Sequence, residues 1–217
     1  MAITPFKELE IGRQSQSICG RLLRKWQAKS FHQNGKIFSL DFLLLDQQST
    51  LIQVTIPQYR AYRFRDDLHE EKVYNISEFQ VDASYGKYKL TDHLHVIKFL
   101  DGTIINPIKE TSPPIPNEMF RFRQYNELWT LAGTNHHLPD VVGELTKIQG
   151  SNLEDLSCDE KITLYLLLAD GKNVRVMVWD ACALEFRKLY ATIVGKATIL
   201  IITAVNPKSY GEIVKRR

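Results

Sequence analysis

The chain has 217 residues, 44% of them hydrophobic and 24% charged, which is the profile of a folded protein and excludes a disordered one. That length suits two domains of about 100 residues each. A formal charge of +3 permits a nucleic-acid partner without requiring it, and the three cysteines, Cys19, Cys158 and Cys182, lie outside any CxxC or CxH pair, so neither a zinc site nor a disulfide framework is indicated.

The opening MAITPFKELE carries two acidic residues and no apolar core, so no secretory or transit signal is read there and retention in the cytosol or nucleus is expected. Ser17 to Ala28 forms the first strand candidate. The loop KSFHQNGK follows, offering Lys29, His32 and Lys36. From Lys36 an alternating run of Phe, Leu and Ile residues reaches the tight turn Asp46-Gln47-Gln48-Ser49, and Leu51 to Ile56 returns as the other arm of a hairpin. A short helix carrying Phe64 comes next, with Asp66, Asp67, Glu70 and Glu71 as its wet face. A strand from Val73 to Val81 then leads into the loop SYGKYK, which holds Tyr85, Lys87, Tyr88 and Lys89.

Pro107, Pro113, Pro114 and Pro116 crowd the stretch Asn106 to Phe120, a density that suits an extended, semi-rigid linker. The same order of features then recurs about 124 residues on, the spacing of a duplicated domain and too long for a solenoid. Asp140 to Gln149 is the strand before the second hairpin, Asp170-Gly171-Lys172-Asn173 its turn, and Val174 to Trp179 its returning arm. A helical stretch with Phe186, a strand from Ala197 to Val205 and a Tyr210-Gly211 loop complete the copy. The apolar run from Ile199 to Val205 falls far short of the ~20 residues a membrane span needs, so no membrane partner is expected.

Strand, hairpin, helix, strand, loop, strand is the order of a five-stranded OB barrel. The predicted fold is therefore all-β with short helices: two tandem five-stranded OB-fold barrels, the second with a shortened last strand. The predicted domains are 1–106 and 125–217, with 107–124 as the proline-rich linker.

No catalytic set is found. His136-His137 lacks an acidic or cysteine partner at ligand spacing and reads as a solvated loop, and glycine-rich phosphate loops, nucleophile elbows and HExxH are absent from the sequence. The expectation is a protein that is not an enzyme, with no cofactor and no metal. Rings interleaved with cations point elsewhere. OB barrels hold single strands on the face of strands two and three and in the 1–2 and 4–5 loops, where rings stack on bases and cations track phosphates. The loop residues Lys29, His32, Lys36, Tyr85, Lys87, Tyr88 and Lys89 occupy those places in the first half, and Arg175, Trp179, Lys208 and Tyr210 in the second. Trp26, Trp129, Phe38 and Phe42 are assigned to packing.

The stretches WQAKSF, FSLDFLLLDQQSTLIQVTIP, KVYNISEFQV and GKYKLTDH, then DVVGELTKI, VRVMVWDACALEF and SYG, carry a collinear resemblance over nearly the whole chain. It resembles the central tandem DNA-binding domains of the large subunit of replication protein A, in their plant-type form. The resemblance implies two stacking rings per domain, one ending strand three and one in the 4–5 loop. Trp179 and Tyr210 match both in the second domain. In the first, Tyr88 matches the loop ring while Ile56 stands at the strand-three position, where it packs on a base without stacking, so that domain is expected to bind more weakly unless Tyr85 compensates. After Tyr210 only GEIVKRR is left for the closing strand. The implied activity is single-stranded DNA binding in replication, repair or recombination in the nucleus, with other replication protein A subunits or repair proteins as partners. The alternatives are an OB-fold protein-interaction module that has lost DNA affinity, and single-stranded RNA binding.

Overall fold

The computed structural model describes residues 2–12, 15–29, 36–109, 111–193 and 199–209. The chain divides into two compact units, Met1–Met119 and Phe120–Arg217.

In the first unit the alternating apolar segments become five strands: β1 (Ser17–Lys29), β2 (Ile37–Leu45), β3 (Leu51–Pro57), β4 (Val73–Ala83) and β5 (His95–Ile108). They close into a barrel in the order β1-β2-β3-β5-β4. Every neighbouring pair is antiparallel except β3 with β5, which run parallel. Helix α1 (Gln58–Phe64) lies between β3 and β4. This strand order with a helix in that place is the OB barrel predicted above. Leu40, Phe42 and Leu44 of β2 and Ile52, Val54 and Ile56 of β3 point inward, joined by Phe64 and Phe99. Phe99 meets Phe42 and Phe64 edge-on at centroid distances of 5.5 and 5.1 Å, the arrangement favoured by ring quadrupoles.

The acidic residues read as the wet face of this helix stand elsewhere. The helix ends at Phe64, and Asp66, Asp67, Glu70 and Glu71 occupy the turns leading to β4. There Glu70 and Glu71 bind the first strand: Glu70 Oε1 accepts the Lys25 amide at 2.7 Å, and the Glu71 carbonyl accepts Arg21 Nη1 at 2.7 Å. The proline-rich stretch is likewise built into the unit. Asn106 and Pro107 pair with Asn75 and Tyr74 of β4. Ile115 is buried among Cys19, Leu23, Leu43, Leu45, Leu51 and Val73 on the outside of the barrel, and its carbonyl accepts Arg21 Nη2 at 3.0 Å.

The second unit holds α2 (Tyr125–Leu131), β6 (Val141–Gly150), β7 (Ile162–Leu167), β8 (Asn173–Val178), α3 (Asp180–Thr192) and β9 (Ile199–Ile202). Its sheet order, β8-β7-β6-β9, repeats β3-β2-β1-β4, with α3 in the place of α1. The closing strand expected after Tyr210 lies outside the described residues, as do Ala197 and Thr198 of the strand before it. The duplication extends to detail. β1 carries a bulge between Leu22 and Arg24, and β6 carries one between Leu145 and Lys147; such bulges bend a strand around a barrel. The hairpin aspartates act alike: Asp46 accepts the amides of Gln48 and Thr50 and reaches the amide of Phe6, while Asp170 accepts Lys172 and reaches Tyr125. Each therefore closes its turn and anchors the segment that enters its unit.

Gly20 and Gly143 also correspond, each one residue before the strand position that pairs with Leu45 or Leu167. A Cβ on Gly143 would stand 2.8 Å from the Leu167 carbonyl oxygen. Helix α3 contributes Arg187, only 1% exposed, whose guanidinium donates to the carbonyls of Ser151, Asn152 and Glu160 at 2.8, 3.0 and 2.9 Å. It fastens the loop between β6 and β7 to the helix. Two outcomes are expected. Gly143→Ala overpacks backbone against backbone and lowers stability by about 1–3 kcal/mol, read from chemical denaturation. Arg187→Met leaves those carbonyls unpaired at a cost of about 3 kcal/mol, and amide exchange accelerates selectively between residues 151 and 161.

Candidate nucleic-acid interface

Along β8, Val174, Val176 and Val178 turn toward the core while Arg175 and Met177 turn out, and Trp179 continues the outward series just before α3. β7 sets Tyr165 opposite Arg175 and Thr163 opposite Met177, and β6 sets Lys147 opposite Tyr165 and Gln149 opposite Thr163. The result is one outer face bearing two rings, each attended by an ammonium group. Lys147 Nζ lies 5.4 Å from the Tyr165 ring centroid and Lys161 Nζ lies 5.3 Å from that of Trp179. The Tyr165 hydroxyl donates to Gln149 Oε1 at 3.0 Å, fixing the ring's orientation. Trp179 is 53% exposed. A face of this kind offers π-surface to planar groups and positive charge to anions.

Trp179 and Arg175 were anticipated from the sequence, whereas Tyr165, Lys147 and Lys161 were not. The signal was present in KITLYLLL, where Ile162, Leu164 and Leu166 face the core and Tyr165 falls on the opposite parity. Lys208 is exposed, and its ammonium donates to Asn135 Oδ1 in the connection between α2 and β6. Tyr210 lies outside the described residues.

In the first unit the loop between β4 and β5 overhangs the outer side of β3 and β5. Tyr85, Lys87, Tyr88 and Lys89 border a groove of about 300 Å³ with Thr55 and Lys98 among its walls. The loop turns sharply at Gly86, whose φ of +98° favours glycine, and Tyr88 adopts φ +62°. Lys89 Nζ donates to the Ser84 carbonyl at 2.5 Å and Lys98 pairs with Asp82 at 2.7 Å, so these two cations brace the structure, whereas Lys87 is exposed. Lys36 is exposed at the foot of β2. The backbone of Lys29 pairs with Ile37, and its side chain, like His32, lies outside the described set.

Three expectations are corrected. Ile56 is fully buried in the barrel core and cannot touch a base. The residue that corresponds to Trp179 is Pro57: each is the last outward position of its strand and immediately precedes a helix. A slip of one residue in a pleated strand exchanges inside for outside, so the first unit has no ring there. Phe42 packs in the core and Trp26 packs against the outer cluster, but Phe38 and Trp129 are exposed. Phe38 is the second residue of β2, one residue before the Ser39–Pro57 pair, and Trp129 lies on α2, where Leu128 is the buried residue and Trp129 stacks on Tyr125.

Asp41 stands on the outer face of β2, opposite Thr55, yet is only 7% exposed. Gln53 Nε2 donates to its Oδ2 at 3.4 Å. Burial, partly offset by hydrogen bonds from neighbouring side chains, holds its carboxyl above the ordinary aspartate range. Its charged form therefore costs stability. The favourable contribution of this group is complete below the usual carboxylate range and is lost as pH rises through the elevated value. Asp41→Asn should then stabilise the protein at pH 8 and give no gain at pH 3, measured by denaturant midpoints at the two pH values. Among the described residues, no group of His, Cys, Asp and Glu side chains could hold a metal ion, and no helix is long and apolar enough to cross a membrane.

The 70 kDa DNA-binding subunit of replication protein A from Oryza sativa subsp. japonica is 26% identical over 197 residues, which are 86% of this chain and 29% of the rice protein. The chain thus spans under a third of that relative's length. A solved structure of a replication protein A heterotrimer bound to single-stranded DNA matches with a TM-score of 0.52 at 22% identity, covering 92% of this chain and 46% of the matched one. That likeness supports the tandem OB fold. A family model described as a domain of unknown function, DUF223, matches residues 7–127, more than half of the sequence. The chain belongs to the DUF223 family.

Proposed function

We propose that this chain binds single-stranded DNA across the outer faces of its two barrels, in replication, repair or recombination within the nucleus, as a binding protein and not as a catalyst. The observation that carries the reading is the face of β6, β7 and β8, where Trp179 and Tyr165 each stand beside a lysine and Arg175 lies opposite Tyr165. Unpaired bases present both faces to such rings, while a duplex hides them in its stack. Base–aromatic stacking contributes about 1–3 kcal/mol per base and tolerates any sequence. The rice relative is named as DNA-binding, and the matched heterotrimer is described as bound to single-stranded DNA, which supports the same reading.

In this proposal Trp179, Tyr165 and Tyr210 serve the second barrel, and Tyr85 and Tyr88 the first. Lys29, Lys36, Lys87, Arg175 and Lys208 neutralise phosphates, and Lys89 shapes the loop that carries the rings. Association with other replication protein A subunits or repair proteins belongs to the same proposal.

The test is fluorescence anisotropy with labelled oligo-dT of about 30 nucleotides, enough for two OB folds, at two salt concentrations, with duplex DNA and a matched RNA as controls. Selective binding to the single strand is expected, with a log–log salt slope of about −0.7 per phosphate contacted. Replacing both exposed residues, Trp179→Ala with Arg175→Ala, should weaken binding at least tenfold with an unchanged melting temperature. Equal affinity of the variant and the wild type would remove this face from the binding path.

A further inference from the structure

The first barrel lacks a ring where the second has Trp179, but it bears two rings where the second has none. Pro57 and Trp179 precede their helices in the same way, and from there Ala61 corresponds to Ala183 and Phe64 to Phe186, each turned to its own core. In that register Tyr59 stands where the second unit has Ala181, Tyr62 where it has Leu184, and Arg63 where it has Glu185. Tyr59 and Tyr62 are three apart, so they share the helix face opposite Ala61 and Phe64, with Arg63 beside them. They are 68% and 73% exposed, too open to serve the core.

The helix face is also held in place, and it presents Arg63 beside the two rings. Arg60 reaches both oxygens of Asp101, at 2.7 and 3.0 Å, and its guanidinium lies 4.8 Å from the centroid of the Tyr59 ring. Arg63 donates to the Asp101 carbonyl instead of to a carboxylate. Of the three arginines from Gln58 to Arg65, Arg60 pairs with Asp101 and Arg65 with Asp66 at 3.4 Å, whereas Arg63 makes its hydrogen bond to a neutral carbonyl. It follows directly on the groove: Thr55 and Pro57 are successive outward positions of β3, about 6.6 Å apart by the strand rise, and Tyr59 lies two residues further on.

From these observations we infer that the first barrel replaces the missing strand-end ring with the pair on its helix: single-stranded DNA leaving the groove beneath Tyr85 and Tyr88 passes Thr55 and Pro57, stacks bases on Tyr59 and Tyr62, and meets Arg63 with a phosphate. The inference rests on the function proposed above and assigns a path within it.

The experiment compares Tyr59→Ala/Tyr62→Ala with Tyr59→Phe/Tyr62→Phe in the full chain, each in the wild-type and the Trp179→Ala background, by anisotropy with oligo-dT and by thermal melting. The alanine pair should melt with the parent and bind at least tenfold more weakly, with the larger loss in the Trp179→Ala background, where the first barrel carries more of the affinity. The phenylalanine pair, which keeps the rings, should bind within twofold of its parent. Binding of the alanine pair within twofold in both backgrounds overturns the inference, as does an equal loss in both pairs, which would assign the effect to the hydroxyls. Failure of the wild-type chain to bind any oligonucleotide would instead sink the function itself.

Discussion

Successive side chains of a strand point to opposite sides, and once the sheet is closed those sides become core and surface. This parity governs both units. With Val174, Val176 and Val178 committed inward, Arg175, Met177 and Trp179 have to emerge on the outer face; with Ile52, Val54 and Ile56 inward, Gln53, Thr55 and Pro57 emerge in the first unit. The same rule on β7 lifts Tyr165 out between Leu164 and Leu166. The surface chemistry is thus a by-product of burying the alternate residues, and it can vary freely as long as the inward set is kept.

Comparison of the two copies separates what the fold demands from what the surface is free to change. Both keep a glycine where β1 or β6 crowds the hairpin, a bulge just beyond it, an aspartate at the hairpin turn and an alanine against the core in the helix. The outer faces diverge. Leu43 of the first unit, in the position of Tyr165, is covered together with Leu45 and Leu51 by Ile115 and Met119 from the proline-rich stretch. That cover removes the hairpin end of the first unit's outer face from solvent and leaves only the end toward β5, the 84–94 loop and the helix. Asp41, held under the same face, adds an acidic group to it.

Much of the architecture was legible in the sequence because hairpins and duplications are local or repetitive signals. The turns at Asp46 and Asp170 were readable, as was the order of elements, because the residue types a turn requires are few. What could not be read depends on partners distant in sequence. Ile56 was set against Trp179 because both end a β-branched run, and only the pairing of Ser39 with Pro57 reveals which of the two neighbouring residues faces out. The proline cluster looked like a tether, since proline density says nothing about the buried seat that Ile115 finds beside Leu23 and Leu45. Arg187 carries no local sequence signal of its role, because the carbonyls of the β6–β7 loop that it binds lie 27 to 36 residues before it.

The parallel contact of β3 with β5, together with β1 against β4, means that every strand of the first unit has a neighbour on both sides. The closure is local: β3 meets β5 over Gln53–Thr55 and β1 meets β4 over Ser17–Arg21, so along those stretches no row of amides and carbonyls is offered to template another chain, which is the usual entry point for strand addition and for aggregation. Whatever meets those stretches must therefore recognise side chains. The specificity of any such encounter is then written in the few outward residues of β3, in one loop and in one helix, and a change to any of them alters recognition without touching the hydrogen-bonded frame.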